Sequence, residues 1–226
     1  MNKRIFCFWT GDNPIPKNRL LALNSLTNSN LKVTFIDKNN LSNWILPTFQ
    51  LHPAYEYLSA IHRADYLRVY FMHHYGGGYS DIKYLSSSWL PSWYELNNTD
   101  KFAVGYKEIG PKGVAIVPSL RYIHLLINWE KLIGNCAYIF KPDTEFTIEW
   151  IDNTHKLLDS KLFNLKLNPA KLPEDYYGKL INGIKSQYPI RWSEMLGNIF
   201  HPLCLKYKDR LIYSLPRPDF HINYDV

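Results

Sequence analysis

The sequence predicts a single mixed α/β domain with a mostly parallel sheet flanked by helices. Three observations carry this expectation. The chain opens with a strand, helix, strand pattern; a long helical stretch with a glycine stop follows; and short β-like runs then alternate with further helical patterns. With 226 residues the chain is long enough for one substantial core and short for two, so residues 1–226 are read as one unit.

Ile5-Phe6-Cys7-Phe8-Trp9 is a continuous apolar run ended by Thr10-Gly11-Asp12-Asn13-Pro14, which fits a buried first strand running into a functional turn. Leu20, Leu23 and Leu26 recur at helical spacing between Pro16 and Leu26, and residues 31–37 read as a second strand. From Pro53 to His74 the pattern is helical, with Ala60, Ala64, Leu67 and Phe71 on one face. Gly76-Gly77-Gly78 stops it. Residues 79–85 look extended, and β-like runs follow at 102–106, 114–117 and 137–140. A helix is expected over 144–158, capped by Asp143 or Thr144, with further helical patterns at 176–184 and 193–200.

Hydrophobic residues make up 46% and charged residues 20%, values of an ordinary globular domain. The aromatic share of 15% suits stacking on bases or sugar rings as well as a large core. A formal charge of +6 is compatible with an anionic ligand, nucleic acid or loose contact with an acidic membrane surface; the lysines are spread along the chain, which argues against nucleic acid. Cys7, Cys136 and Cys204 are too few and too far apart for a disulfide framework or zinc module, so they are expected reduced and buried. The first apolar run is too short for a signal peptide or membrane span, and a cytoplasmic protein is expected.

The informative segment runs from Ser59 to Lys83. On a helix, Asp65 and Arg68 project together beside the apolar stripe. Taken alone this is an ordinary ion pair. The triple glycine between helix and strand permits positive φ and lets backbone approach a bulky ligand, and Asp81 then falls where a carboxylate can reach a metal or a ribose. His73 and His74 are adjacent, so their side chains diverge and do not form a metal pair.

The ordered set Ala64-Asp65-Tyr66-Leu67-Arg68 and Gly77-Gly78-Tyr79-Ser80-Asp81, with the opening Ile5-Phe6-Cys7-Phe8-Trp9-Thr10-Gly11, resembles the DXD-containing glycosyltransferases of the sugar-binding-region type, including capsular polysaccharide enzymes and relatives of glycosyltransferase family 32. The resemblance covers about the first 85 residues. It departs from the family at Lys83, which stands where the second aspartate of Asp-x-Asp normally lies.

The resemblance implies a GT-A-like fold and transfer of a sugar from a nucleoside diphosphate sugar, UDP-linked by family habit, to a glycan or other hydroxyl acceptor. Residues 1–85 would bind the donor and residues 86–226 the acceptor. Phe8, Trp9, Thr10 and Gly11 would hold base and ribose; Asp65 and Arg68 the sugar and phosphate; Gly77, Gly78, Tyr79, Asp81 and Lys83 would complete the donor site. Mn²⁺ or Mg²⁺ would be held by Asp81 with waters, phosphate oxygens and a late-chain ligand such as His201, for which packing as a structural histidine is the preferred reading when it is taken alone, or the Lys83 ammonium would itself neutralise part of the diphosphate; the resemblance favours the metal. Asp143 and Glu145 are candidate bases beside Asp81 in the catalytic set, although the start of a helix also explains them. Trp192 to Pro202 is a polar and aromatic cluster that could close over the donor. The rival readings are a donor-binding protein without transfer, a polyanion-binding protein and a nucleotidyltransferase.

Overall fold

The computed structural model describes residues 2–118 and 120–226. Its centre is a six-stranded sheet. Strand β1 (Arg4–Trp9) leads into helix α1 (Lys17–Ser25) and returns as β2 (Lys32–Asp37), parallel to β1 over its whole length. Helix α2 (Ala60–His74) is followed by β3 (Gly77–Ser80), which lies parallel to β1 on its other side, pairing Ile5 with Gly78 and Phe6 with Tyr79. After α3 (Leu90–Asn97) come β4 (Ala103–Lys107), α4 (Arg121–Ile127), β5 (Ile133–Phe140) and α5 (Glu145–Leu167). A two-strand hairpin, β6 (Leu180–Ile181) with β7 (Ile184–Lys185), precedes α6 (Gly197–Lys206) and β8 (Leu211–Ile212). The strand order is β2-β1-β3-β5-β4-β8. Three pairings are parallel, and the two made by β5 are antiparallel.

Both faces of this sheet must be covered, because successive side chains of a strand point to opposite sides and β1 is apolar at every interior position. Phe6 and Phe8 enter one core with Leu67 and Phe71 of α2, Phe146 and Trp150 of α5, and Phe200 of α6. Ile5 and Cys7 enter the other with Ala22 of α1, Leu26 just beyond it, Trp93 of α3 and Tyr224 near the end of the chain. The result is the mixed α/β sandwich that the patterning predicts.

Local chemistry fixes the ends of the two long helices. Ser59 caps α2 through its hydroxyl, and Thr144 and Thr147 form a reciprocal capping box at the start of α5. The sheet begins β3 abruptly because Gly76 and Gly77 take φ of +58° and +86°, a region open to glycine.

Several elements differ from the sequence reading. The extended stretch 79–85 pairs only to Ser80, because the Asp81 N–H donates to Cys136 O at 2.7 Å and the Lys83 N–H turns back to Asp81 O at 2.7 Å. Residues 114–117 form a loop rather than a strand. Residues 176–184 are not helical: Asn182 and Gly183, with φ of 50° and 81°, make the tight turn of the β6-β7 hairpin. The expected helix at 193–200 starts at Gly197 and runs on, and the one at 144–158 extends to Leu167. Helices α3 and α4 and strand β8 were not anticipated. All three cysteines are free; Cys7 and Cys204 are buried and Cys136 is half-buried. Among the described residues no helix is long and apolar enough to cross a membrane.

Candidate functional site

A cleft of about 580 Å³ opens at the carboxyl ends of β1 and β3. Parallel strands commonly leave a ligand crevice there, because the chain departs from adjacent strand ends in diverging directions. Continuing the β1-β3 register brings Trp9 level with Ile82, so the turn after β1 and the turn after β3 face one another across the opening. Ala60, Ala64 and Arg68 of α2, four residues apart, form one side. Ala60 and Ala64, whose spacing predicts a core face shared with Leu67 and Phe71, are half-buried and open onto the cleft, where larger side chains would occupy it.

The turn after β1 is packed tightly against α2. A Cβ on Gly11 would lie 2.5 Å from Asn13 Oδ1 and 2.9 Å from Ala60 Cβ, so only glycine fits without displacement. Trp9 Nε1 donates to Asn13 O at 2.8 Å and fixes the same turn. Below it Phe8 stacks on Tyr79 with ring centroids 5.6 Å apart.

At the centre stands a charge cluster. Arg68 Nη2 lies 3.1 Å from Asp81 Oδ1 and 3.5 Å from Asp65 Oδ1, and Lys83 Nζ lies 3.4 Å from Asp81 Oδ2. Arg68 Nη1 donates to Asn135 O at 3.0 Å, and its guanidinium sits 4.4 Å from the Tyr79 ring centroid. The Tyr79 hydroxyl donates to Asp81 Oδ1 at 2.6 Å. These contacts set the two carboxylates apart. Burial pushes the Asp65 carboxyl up to about 6, with the Asp81 charge adding to that and Arg68 opposing it. Burial acts on Asp81 too, but Arg68, Lys83 and the Tyr79 hydroxyl override it and hold the carboxyl down at about 2.

The cleft as a whole is lined by four cations, Arg19, Arg68, Lys83 and Lys112, against three carboxylates, Asp65, Asp81 and Glu174. Arg19 donates to Ile82 O at 3.4 Å and lies 5.7 Å from the Trp9 ring centroid. The surplus favours an anionic ligand.

Of the residues singled out in the sequence, Phe8, Trp9, Thr10, Gly11, Asp65, Arg68, Tyr79, Asp81 and Lys83 all line the cleft, as do Trp192 and Ser193. Gly77 and Gly78 do not. Their lack of a side chain serves the sheet: a Cβ on Gly77 would meet Arg4 O at 3.0 Å, and one on Gly78 would meet Ile5 and Trp89. Asp143 and Glu145 also lie elsewhere. Because β5 runs antiparallel to β3, the chain leaves it at the end where Gly77 pairs with Phe140, away from Asp81. There Asp143 donates its N–H to His73 O, and Glu145 opens α5 as an exposed residue. Their helix-terminal role explains the carboxylates.

His201 is fully buried and is not part of the cleft lining. Its Nδ1 accepts the Ala115 N–H at 3.0 Å, while Nε2 faces Asn135 Nδ2 at 3.2 Å and Glu108 Oε2 at 3.4 Å. A loop N–H needs an acceptor when buried, and His201 supplies it. Sequence reasoning missed Arg19 and Glu174 as cleft residues, since nothing local marks them. Lys112 carried a signal that went unused: Gly110-Pro111-Lys112-Gly113 is a turn that presents a lysine.

Residues 5–100 match the family model for the glycosyltransferase sugar-binding region containing DXD motif. That stretch carries β1, α2, β3 and the whole charge cluster. A solved structure described as "PaToxG Glycosyltransferase" is similar at 10% sequence identity, with 91% of this chain and 67% of that chain covered and a TM-score of 0.43. No curated protein matches the sequence.

The matched region is described by a DXD motif, yet no Asp-x-Asp triplet occurs anywhere in the chain; in the cleft, Asp81 is followed two residues later by the ammonium of Lys83. The donor set therefore does not fit a divalent cation. Among the described residues no group of three or more His, Cys, Asp or Glu side chains is placed to hold a metal ion. Asp81 already forms ion pairs with Arg68 and Lys83 and accepts a hydrogen bond from Tyr79. Asp65, Asp81, Arg68 and Lys83 sum to zero formal charge, so the cluster offers no net attraction to a cation.

Proposed function

We propose that this protein is a glycosyltransferase that binds a nucleoside diphosphate sugar in the cleft between β1, β3 and α2 and transfers the sugar to a hydroxyl acceptor, a glycan by preference. The observation that carries the reading is the cation-rich cleft at the carboxyl ends of two parallel strands, with a little over half of its lining, including the charge cluster, in the stretch that matches the sugar-binding region. An aromatic and glycine turn, Trp9 to Gly11, suits the base and ribose; the basic side chains suit the diphosphate; Asp65, beside them, suits sugar hydroxyls. UDP is the preferred nucleotide. Residues 1–85 act on the donor, while the later loops at 112–116, 173–174 and 192–197 complete the cleft and receive the acceptor.

In the reaction the acceptor oxygen forms a bond to the anomeric carbon, and the bond from that carbon to the diphosphate breaks with its electron pair remaining on the diphosphate oxygen. The acceptor proton passes to water at the cleft mouth. The cationic side chains stabilise the accumulating negative charge on the leaving group.

Thermal stabilisation by UDP-, GDP- and dTDP-sugars, followed by an assay for release of the nucleoside diphosphate, tests the reading. One nucleotide class is expected to raise the melting temperature and to be turned over. A shift with no turnover of any donor, with or without acceptor glycans, supports the second reading, donor binding without transfer, which the engagement of Asp81 by two cations favours.

A further inference from the structure

Resting on the donor-binding reading, we infer that Lys83 takes the place of a divalent metal at the diphosphate, so that this site binds its donor without any metal ion. The side chain is held as a built component of the cleft. It is mostly buried, with 17% of its surface exposed. Its Nζ sits 5.3 Å from the Tyr224 ring centroid and 5.9 Å from that of Phe220, two aromatics from the end of the chain. Tyr224 is itself anchored: its hydroxyl accepts the Tyr84 N–H and donates to Asp219 O, both at 2.8 Å. Aromatic faces on one side and Asp81 on the other thus aim the ammonium into the cleft.

The ammonium is also under-used. Among the described residues its one ionic partner is Asp81, at 3.4 Å, although an ammonium carries three donors. Asp81 has a closer partner in Arg68, at 3.1 Å. Lys83 can therefore turn donors toward a phosphate oxygen while Asp81 stays neutralised. A lone ammonium balances one negative charge of a diphosphate, and Arg19 and Lys112 lie in the same lining for the remainder. A metal at this place would have to displace Lys83 from Asp81, and among the described residues no group of three or more His, Cys, Asp or Glu side chains is placed to complete its shell.

Isothermal titration of the purified protein with UDP, GDP and dTDP, each in EDTA and again with Mn²⁺, tests this. At least one diphosphate is expected to bind in EDTA with an affinity that Mn²⁺ leaves unchanged. Lys83→Met is expected to raise its Kd on the order of tenfold or more while leaving the affinity for the parent nucleoside unaltered, and Lys83→Arg to retain most of it. Lys83→Asp is expected to make binding depend on Mn²⁺. Circular dichroism melts establish that each variant folds; should Lys83→Met fail to fold, the EDTA comparison on the unaltered protein decides. Diphosphate binding that appears only with Mn²⁺ overturns the inference and leaves the donor site standing. Binding of no diphosphate under either condition overturns both.

Discussion

At the scale of single residues, Asp65 and Asp81 show how position divides two like groups. Both lie within reach of Arg68, yet only Asp81 also receives Lys83 and the Tyr79 hydroxyl. Asp65 holds its proton up to about pH 6 in the folded protein, above the ordinary carboxylate range. Between that range and pH 6 the unfolded chain has already ionised, so stability falls as pH rises through the window, by on the order of 3 kcal/mol in all. Asp81, held at about 2, behaves in the opposite sense: its contribution is present above the ordinary range and lost as pH falls toward 2. Urea unfolding at pH 4.5 and 7.5 separates them. Asp65→Asn is expected to gain stability relative to the parent between the two pH values, whereas Asp81→Asn is expected to be less stable by on the order of 2 kcal/mol at both. A pH-independent difference for Asp65→Asn would contradict the assignment. The same scale explains what a reader of the sequence could find: Asp65, Arg68 and Asp81 announce themselves by spacing, while Asn135 enters the site through its backbone carbonyl, which no side-chain pattern encodes.

At the scale of elements, the stop between α2 and β3 positions the site. Gly76 and Gly77 reverse the chain in the left-handed region, and β3 then needs only four residues to deliver Asp81 to the cleft. Gly77→Ala places a Cβ 3.0 Å from Arg4 O at φ of +86°, and is expected to cost about 1–3 kcal/mol in unfolding free energy, read by urea titration. The loss is expected to appear in donor affinity only through stability, because Gly77 does not line the cleft. The triple glycine was legible as a break between elements; its role in strand packing was not, because that role is set by β1 lying alongside. The hairpin at 180–185 teaches the reverse lesson. Its Asn182-Gly183 turn was written plainly in the sequence, and the helical reading of that stretch overlooked a strong local signal.

At the scale of the whole molecule, the cleft joins stretches far apart in the chain: the turn after β1, the middle of α2, the turn after β3, and loops near residues 112–116, 135–136, 173–174 and 192–197. A ligand that bridges them stabilises the fold as a unit, by about 2.7 kcal/mol at a hundredfold excess over its Kd. Hydrogen exchange with and without a bound nucleoside diphosphate is expected to slow most in the turn at 10–13 and in the loops at 112–116 and 192–196 together, beyond the uniform slowing that the gain in global stability gives the core. Extra slowing confined to the first 100 residues would show that the later loops take no part in donor binding.

The alternation of strands and helices, the burial of the first strand and the charged trio Asp65, Arg68 and Asp81 are legible in the sequence, because these depend on period and spacing within short segments. Which carboxylates share a site is set by the way the strands and helices pack. Asp143 and Glu145 follow a strand that runs antiparallel to β3 and so emerge at the opposite end of the sheet, while Arg19 reaches the cleft from α1 and Lys112 from the turn at Pro111–Gly113. Strand direction and helix placement are settled by the packing of the whole core, and that packing is what turns a motif on the chain into a cleft with a net positive lining.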